Sequence, residues 1–233
     1  MKPYSRLEEA VAPGGSSLVL LEHDGEYVLR VRGRELMSSR RVASEVRLGE
    51  LAGEGVGAKR GGRVLVGGLG LGFTLRAALG AVPRDTEVVV AELMPEVVAW
   101  NRNPSYGLAC RELEDRRTRV VIGDLFDVLA ESPGLFDAIL LDADNQTTDM
   151  MTRGNRRVYE AAGLSVVLAA LRPDGLVAYW SPTAADPRLV KQLARAGLEV
   201  RTEVIRAYGA GGPRHSVIVG RSGSVGKGTR ARE

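Results

Sequence analysis

From residue 63 onward, short apolar runs alternate with amphipathic stretches: RVLVGG, TEVVVAEL, RVVIGD, FDAILLDAD and the second half of LRPDGLVAYWS. Runs this short and this apolar read as strands buried on both faces. Helices between successive strands make such a sheet parallel and cover it on both sides. FTLRAALGAV, PEVVAWNR, LFDVLAES, a stretch from about 158 to 171 and DPRLVKQLARAG read as the helices, with Pro95 in the first turn of one of them. The last two runs, LEVRTEVIRA and HSVIVGR, are joined by the glycine-rich YGAGGPR without a helix, so they pair antiparallel. The expectation is a doubly wound, mostly parallel seven-stranded α/β sheet that ends in a hairpin.

The first 60 residues read differently. SLVLLEH and EYVLRVRG flank Asp24-Gly25, a pair suited to the positive φ values of a type I′ turn. SSRRVASEVRLGELAG then reads as a helix capped by Ser38 or Ser39 and ended by Gly53 and Gly55. The expected organisation is a β-hairpin and helix appendage over 1–60, a ligand-binding α/β domain over 61–221, and a tail over 222–233 too rich in glycine and charge to order.

Composition narrows the class. Lys and Arg number 32 against 29 Asp and Glu, and aromatic residues make up 5% of the chain. A nearly balanced charge with scattered arginines does not suit a nucleic-acid surface. No run approaches the ~20 apolar residues that span a bilayer. MKPYSRLEEAVAPGG lacks the basic-then-apolar pattern of a secretory leader, and the single Cys110 forms no internal disulfide. A cytoplasmic chain without nucleic-acid or membrane partners is expected. Cys110 has no histidine near it in sequence and reads as inert.

Chemistry concentrates where strands end. VLVGGLGLGFT places Gly68, Gly70 and Gly72 between the first strand of the sheet and its helix, where absent side chains let a ligand approach the main-chain amides. Glu92 ends the next strand, 20 residues after Gly72, where a carboxylate accepts from both hydroxyls of a ribose. The turn carries no lysine followed by Ser or Thr, which disfavours a nucleoside triphosphate. An adenosine-containing ligand fits, with NAD and S-adenosylmethionine both open at this point.

Gly123-Asp124 at the end of the third strand, LRPDG ahead of the fifth and the closing hairpin favour the methyl donor over NAD. Together they resemble the class I S-adenosylmethionine-dependent methyltransferases over roughly residues 60–220, a Rossmann-like fold. Within that superfamily the N-terminal β segment, the helix leading into the glycine turn, and FDAILLDAD resemble the spermidine-synthase-like branch. The resemblance implies S-adenosylmethionine as cofactor, held by Gly68, Gly70, Gly72, Glu92, Asp124 (on the adenine amino group) and Asp142. It also implies Asp142 as the acid facing the acceptor nitrogen, and a homodimer built through the N-terminal β segment.

This sequence departs from the polyamine synthases at several positions. Those enzymes carry a glutamine after the Asp-Gly hairpin and a Tyr-His-Glu stretch on the following helix, whereas here the helix reads RRVASE and keeps only Glu45. They also carry an aspartate between the glycines, where this chain has Leu69 and Leu71. Methyl transfer makes fewer demands, because the sulfonium is already activated and the protein mainly aligns the partners. The leading expectation is therefore a methyltransferase acting on a small-molecule or peptide-like acceptor. Aminopropyl transfer from decarboxylated S-adenosylmethionine is the alternative, and a non-catalytic binding protein that keeps the fold is the other. Asp142 and Asp144 are the candidate catalytic acids. Asn145, Arg153, Tyr159 and Trp180 are candidate acceptor contacts, and no metal is assigned to the DADNQTTD cluster. His215 opens the last strand and reads as structural.

Overall fold

The computed structural model describes residues 3–142, 157–208 and 211–223. Seven strands form the main sheet: β5 (Arg63–Gly67), β6 (Glu87–Glu92), β7 (Thr118–Ile122), β8 (Phe136–Leu141), β9 (Leu171–Ser181), β10 (Leu198–Tyr208) and β11 (Gly211–Ser222). Their order is β10-β11-β9-β8-β5-β6-β7. The five strands from β5 to β9 run parallel, and β11 pairs antiparallel with both β9 and β10. This is the expected doubly wound, mostly parallel Rossmann-like sheet with its closing hairpin. Ser222, placed in the tail by the sequence reading, is the last residue of β11; residues 224–233 of that tail lie outside the described residues.

Period-two alternation divides the sheet into two faces. Val64, Val66, Val88, Val90, Ala138, Leu140, Ala178 and Trp180 face one core, together with Val217 and Val219. Leu65, Val89, Ala91, Ile139, Leu141, Val177, Tyr179 and Ile218 face the other. Fully burying one such aliphatic side chain stabilises the fold by about 1.5–3 kcal/mol.

On the first face lies α1 (Ala43–Val56), against β8, β9 and α2 (Phe73–Ala81). Its glycines are what let it lie close. A Cβ at Gly49 would stand 2.5 Å from both the Ala77 Cβ and the Thr74 carbonyl, and one at Gly55 2.7 Å from the Ala138 Cβ. Gly53 and Gly55 thus serve packing inside the helix, which ends instead at Gly57, whose N–H donates to Gly53 O at 2.8 Å. The expected serine caps are engaged elsewhere. Ser38 closes a strand, while Ser39 Oγ accepts from Tyr27 N at 2.9 Å and donates to Glu26.

The second face carries α5 (Leu125–Ala130) and α6 (Ala161–Ala170), packed against each other, while α7 (Pro187–Arg195) lies against β10 and β11. Two helices follow β6: α3 (Pro95–Arg102) and α4 (Cys110–Glu114).

The N-terminal hairpin is the centre of a larger unit. β1 (Ser5–Val11), β2 (Ser17–His23), β3 (Glu26–Val31) and β4 (Arg34–Ser38) form an antiparallel sheet in sequence order. Two tight turns shape it, Asp24-Gly25 with φ 51° and 81°, and Arg32-Gly33 with φ 48° and 75°. Leu18, Leu20, Leu29 and Val31 from this sheet join the same core as α1 and β5.

Candidate functional site

The carboxyl ends of β5, β6, β7, β8 and β9 open into one cleft. Gly68 and Gly70 border it from the turn after β5, Glu92, Leu93 and Met94 from the end of β6, and Gly123 and Leu125 from the end of β7. Asp142 follows β8, Trp180 lies near the end of β9, and Glu45 comes from the first turn of α1. The opposite wall is the N-terminal sheet, through Ala12, Pro13, Leu18, Leu29, Leu36 and Met37.

All three glycines of the turn have positive φ: 97° at Gly68, 53° at Gly70 and 84° at Gly72. Their roles differ. Gly68 and Gly70 line the cleft, whereas Gly72 is the N-cap of α2 and packs so tightly on α4 that a Cβ would meet Ala109 at 2.2 Å. Two side chains brace the turn. Glu92 Oε2 accepts from Leu69 N at 2.9 Å, and Asn101 Nδ2 donates to Gly70 O at 2.8 Å. Leu69 and Leu71 are buried in the core.

Glu92 Oε1 also accepts from Met94 N at 2.9 Å. Burial raises its pKa above the ordinary 4.5, while the amides of Met94, Leu69, Leu93 and Gly70 pull the other way. Asp124 is the N-cap of α5, accepting from Phe126 N at 2.8 Å. Its neighbours Gly123 and Leu125 line the cleft.

Asp142 is anchored at both ends. Its N–H donates to Gly67 O at 3.0 Å, and its Oδ2 accepts from Thr74 Oγ1 at 2.6 Å. Thr74 stands 3.4 Å from Glu45 O, so α1, α2 and β8 meet at this point. Glu45 is 4% exposed. Burial raises its pKa, opposed by the Ser44 hydroxyl, which donates to Oε2 at 2.6 Å, and by the charge of Arg41. Ser44 Oγ lies 2.7 Å from His215 Nδ1. His215, read from sequence as structural, therefore stands two hydrogen bonds behind a cleft carboxylate, with Ser44 between. Its alternation with Val217 and Val219 on the α1 face was the available signal.

Trp180 borders the cleft, with its ring edge-on to His215 at 5.2 Å between centroids. Its Nε1 is buried and has no hydrogen-bond partner among the described residues. Tyr159 is placed elsewhere: its ring packs against Tyr179, 5.3 Å away, in the opposite core. Asp144, Asn145 and Arg153 lie outside the described residues. Cys110 contacts Glu114, and burial together with that carboxylate raises its pKa, so the thiol stays protonated. Sequence reading missed Met37, which lies over the glycine turn. A Cβ on Gly70 would meet its Sδ at 2.8 Å, and Leu71 N donates to that sulfur at 3.2 Å.

No protein-family model and no curated protein matches the chain. Solved structures do. A spermidine synthase in complex with the transition-state analogue AdoDATO superposes with a TM-score of 0.74 at 15% identity, over 94% of this chain and 74% of that one. The spermidine synthase of Thermotoga maritima gives 0.73 at 16% identity, over 94% and 73%. At this identity the likeness is one of architecture: the chain has the Rossmann-like α/β fold of these synthases, N-terminal sheet included.

Proposed function

We propose that this chain is a transferase that takes an alkyl group from a sulfonium donor of the S-adenosylmethionine class and delivers it to an amine. One observation carries the reading. Every charged side chain lining the described cleft (Glu45, Glu92 and Asp142) is a carboxylate, set among apolar walls. Such a cleft favours cations, and its low dielectric strengthens that preference. A sulfonium and an ammonium suit it.

Of the two donors, the decarboxylated one fits this charge better, because its tail ends in an ammonium where S-adenosylmethionine carries a carboxylate as well. Aminopropyl transfer therefore becomes the first reading, and the likeness to spermidine synthases supports it. Glu92 would hold the ribose, Asp124 the adenine, and Asp142 an N–H of the acceptor. The amine lone pair attacks the carbon beside sulfur, the C–S bond breaks with its electrons to sulfur, and the nitrogen gives up a proton to a carboxylate. Methyl transfer is the second reading, and Leu71 supports it. Among the described residues its amide donates to a thioether, a weak acceptor that the carboxylate of S-adenosylmethionine would displace.

Calorimetric titration with each donor, followed by mass spectrometry of 1,4-diaminobutane incubated with enzyme and donor, separates the two. Tighter binding of the decarboxylated donor and an aminopropylated product are expected. A methylated product would establish the second reading, and binding of neither donor would leave a non-catalytic protein. Assembly as a homodimer through the N-terminal sheet belongs to the same proposal and is read from the solution mass.

A further inference from the structure

Glu45, which lines the cleft, and Ser44 and His215 behind it form a hydrogen-bonded row whose last two members the group transfer described above does not use. Ser44 is 1% exposed and Glu45 4%, while His215 is half-buried under the edge of Trp180. The two contacts measure 2.6 Å from Ser44 Oγ to Glu45 Oε2 and 2.7 Å from Ser44 Oγ to His215 Nδ1. A serine hydroxyl has one proton, so it donates to one neighbour and accepts from the other. The row therefore has two self-consistent arrangements. In one, Glu45 is ionised and takes the Ser44 proton, while Nδ1–H of His215 donates to Ser44. In the other, a protonated Glu45 donates to Ser44, and Ser44 donates to a bare Nδ1.

We propose that Ser44 and His215 are positioning residues that share with Glu45 one proton drawn from an ammonium acceptor in the cleft, which frees the acceptor nitrogen to attack. This rests on the amine-acceptor reading above. An N–H bond of the ammonium breaks, its electron pair stays on nitrogen, and the proton goes to the Glu45 carboxylate. Rotation of the carboxyl group presents that proton to Ser44. With His215 in its Nε2–H tautomer, Ser44 passes its own proton to the bare Nδ1, leaving Glu45 ionised and His215 an imidazolium. No electrons change hands.

The surroundings match the ends of the row to each other. Burial pushes Glu45 up and His215 down, which brings their proton affinities together; the charge of Arg41 lowers both. Arg41 is the cation facing the row and is itself paired with Glu35. From α2, Thr74 links the backbone of Glu45 to Asp142, and from β9 the group facing His215 is the Trp180 ring.

The chain has two histidines, so ¹⁵N spectra of the full-length protein isolate His215 once His23 is assigned by substitution. The imidazole is titrated in the wild type, Ser44→Ala and Glu45→Gln, without donor or acceptor. A His215 midpoint that falls by about one pH unit in Glu45→Gln, with Ser44→Ala showing the same loss of coupling, is the expected result. Identical titrations in all three proteins overturn the proposal. In turnover with whichever donor is accepted, His215→Asn is expected to lower kcat about tenfold where the imidazole is neutral and the acceptor still an ammonium, the loss fading as pH falls through the His215 midpoint, with the donor KM unchanged. A loss that is uniform across pH, or that falls on KM, also overturns it. Failure of both donors to bind while the titrations remain coupled would instead remove the amine-transfer reading.

Discussion

Leu69 N donates to Glu92 Oε2 at 2.9 Å, so the acid at the end of β6 and the glycine turn after β5 form one unit. The residue expected to bind the donor also sets the shape of the turn beneath it. Glu92→Gln presents one oxygen and one NH₂ to two backbone donors, Leu69 N and Met94 N, and leaves one of them unpaired in a buried site. An orphaned buried donor costs about 1–3 kcal/mol. Calorimetry should show donor affinity falling roughly 10- to 100-fold, with a lower melting temperature. Because burial raises the Glu92 pKa, affinity in the wild type should start to fall above pH 4.5 as the solution is acidified.

For Glu45 the linked quantity is stability. Its folded-state pKa is raised by burial, so its contribution to stability is fully present below the ordinary 4.5 and is lost as pH rises through the folded value. Glu45→Gln keeps an oxygen for Ser44 and removes the buried charge. Thermal denaturation at pH 7 should show this variant at least as stable as the wild type, with transferase activity largely gone. A variant both less stable and fully active would contradict this assignment.

Gly49→Ala sets two effects against each other. Alanine improves helix propensity by about 1 kcal/mol. Its Cβ, however, would sit 2.5 Å from the backbone oxygen of Thr74, which cannot yield without moving α2. Overpacking of this kind costs about 1–3 kcal/mol, so net destabilisation is expected in a melting curve. Activity should fall further than stability does, because α1 carries Glu45 and α2 carries Thr74, the partner of Asp142.

Asp137 governs the acid limit of the fold. It is fully buried at the start of β8, with Oδ1 3.0 Å from Lys59 Nζ and Oδ2 2.6 Å from Arg172 and 2.9 Å from Arg63 N. Burial alone would raise its pKa, but the Arg63 amide, Lys59 and Arg172 outweigh that and hold it below 3.8. Its contribution is therefore present above pH 3.8 and lost as pH falls through the lowered folded value. Asp137→Asn should lower stability by about 2 kcal/mol in urea at pH 7 and flatten the pH dependence below 4.

The buried strands could be read directly because their side chains state their environment. RVLVGG is apolar at every buried position and FDAILL at every one but Asp137, and period two then assigns each residue to a face. β1 and β4 could not be read in this way. They are the edges of the N-terminal sheet, SRLEEAV and RELMS, polar and largely outside the core, and ladder hydrogen bonds rather than hydrophobic pattern hold them. With β4 unread, Met37 over the glycine turn was also unreadable.

The sequence by itself determined the parallel sheet, the turn of Gly68, Gly70 and Gly72, and the strand-end acids Glu92 and Asp142. Each follows from local pattern: apolar runs, positive φ that glycine meets, and polar residues where buried strands emerge. Only the tertiary structure decided what stands opposite them. It turned the N-terminal strands into a wall of the cleft and made the α1 glycines packing contacts. It also set His215 against Ser44, 171 residues away in the chain. Such pairings depend on how helices and sheets stack, and that stacking is a property of the whole core which no local stretch of sequence contains.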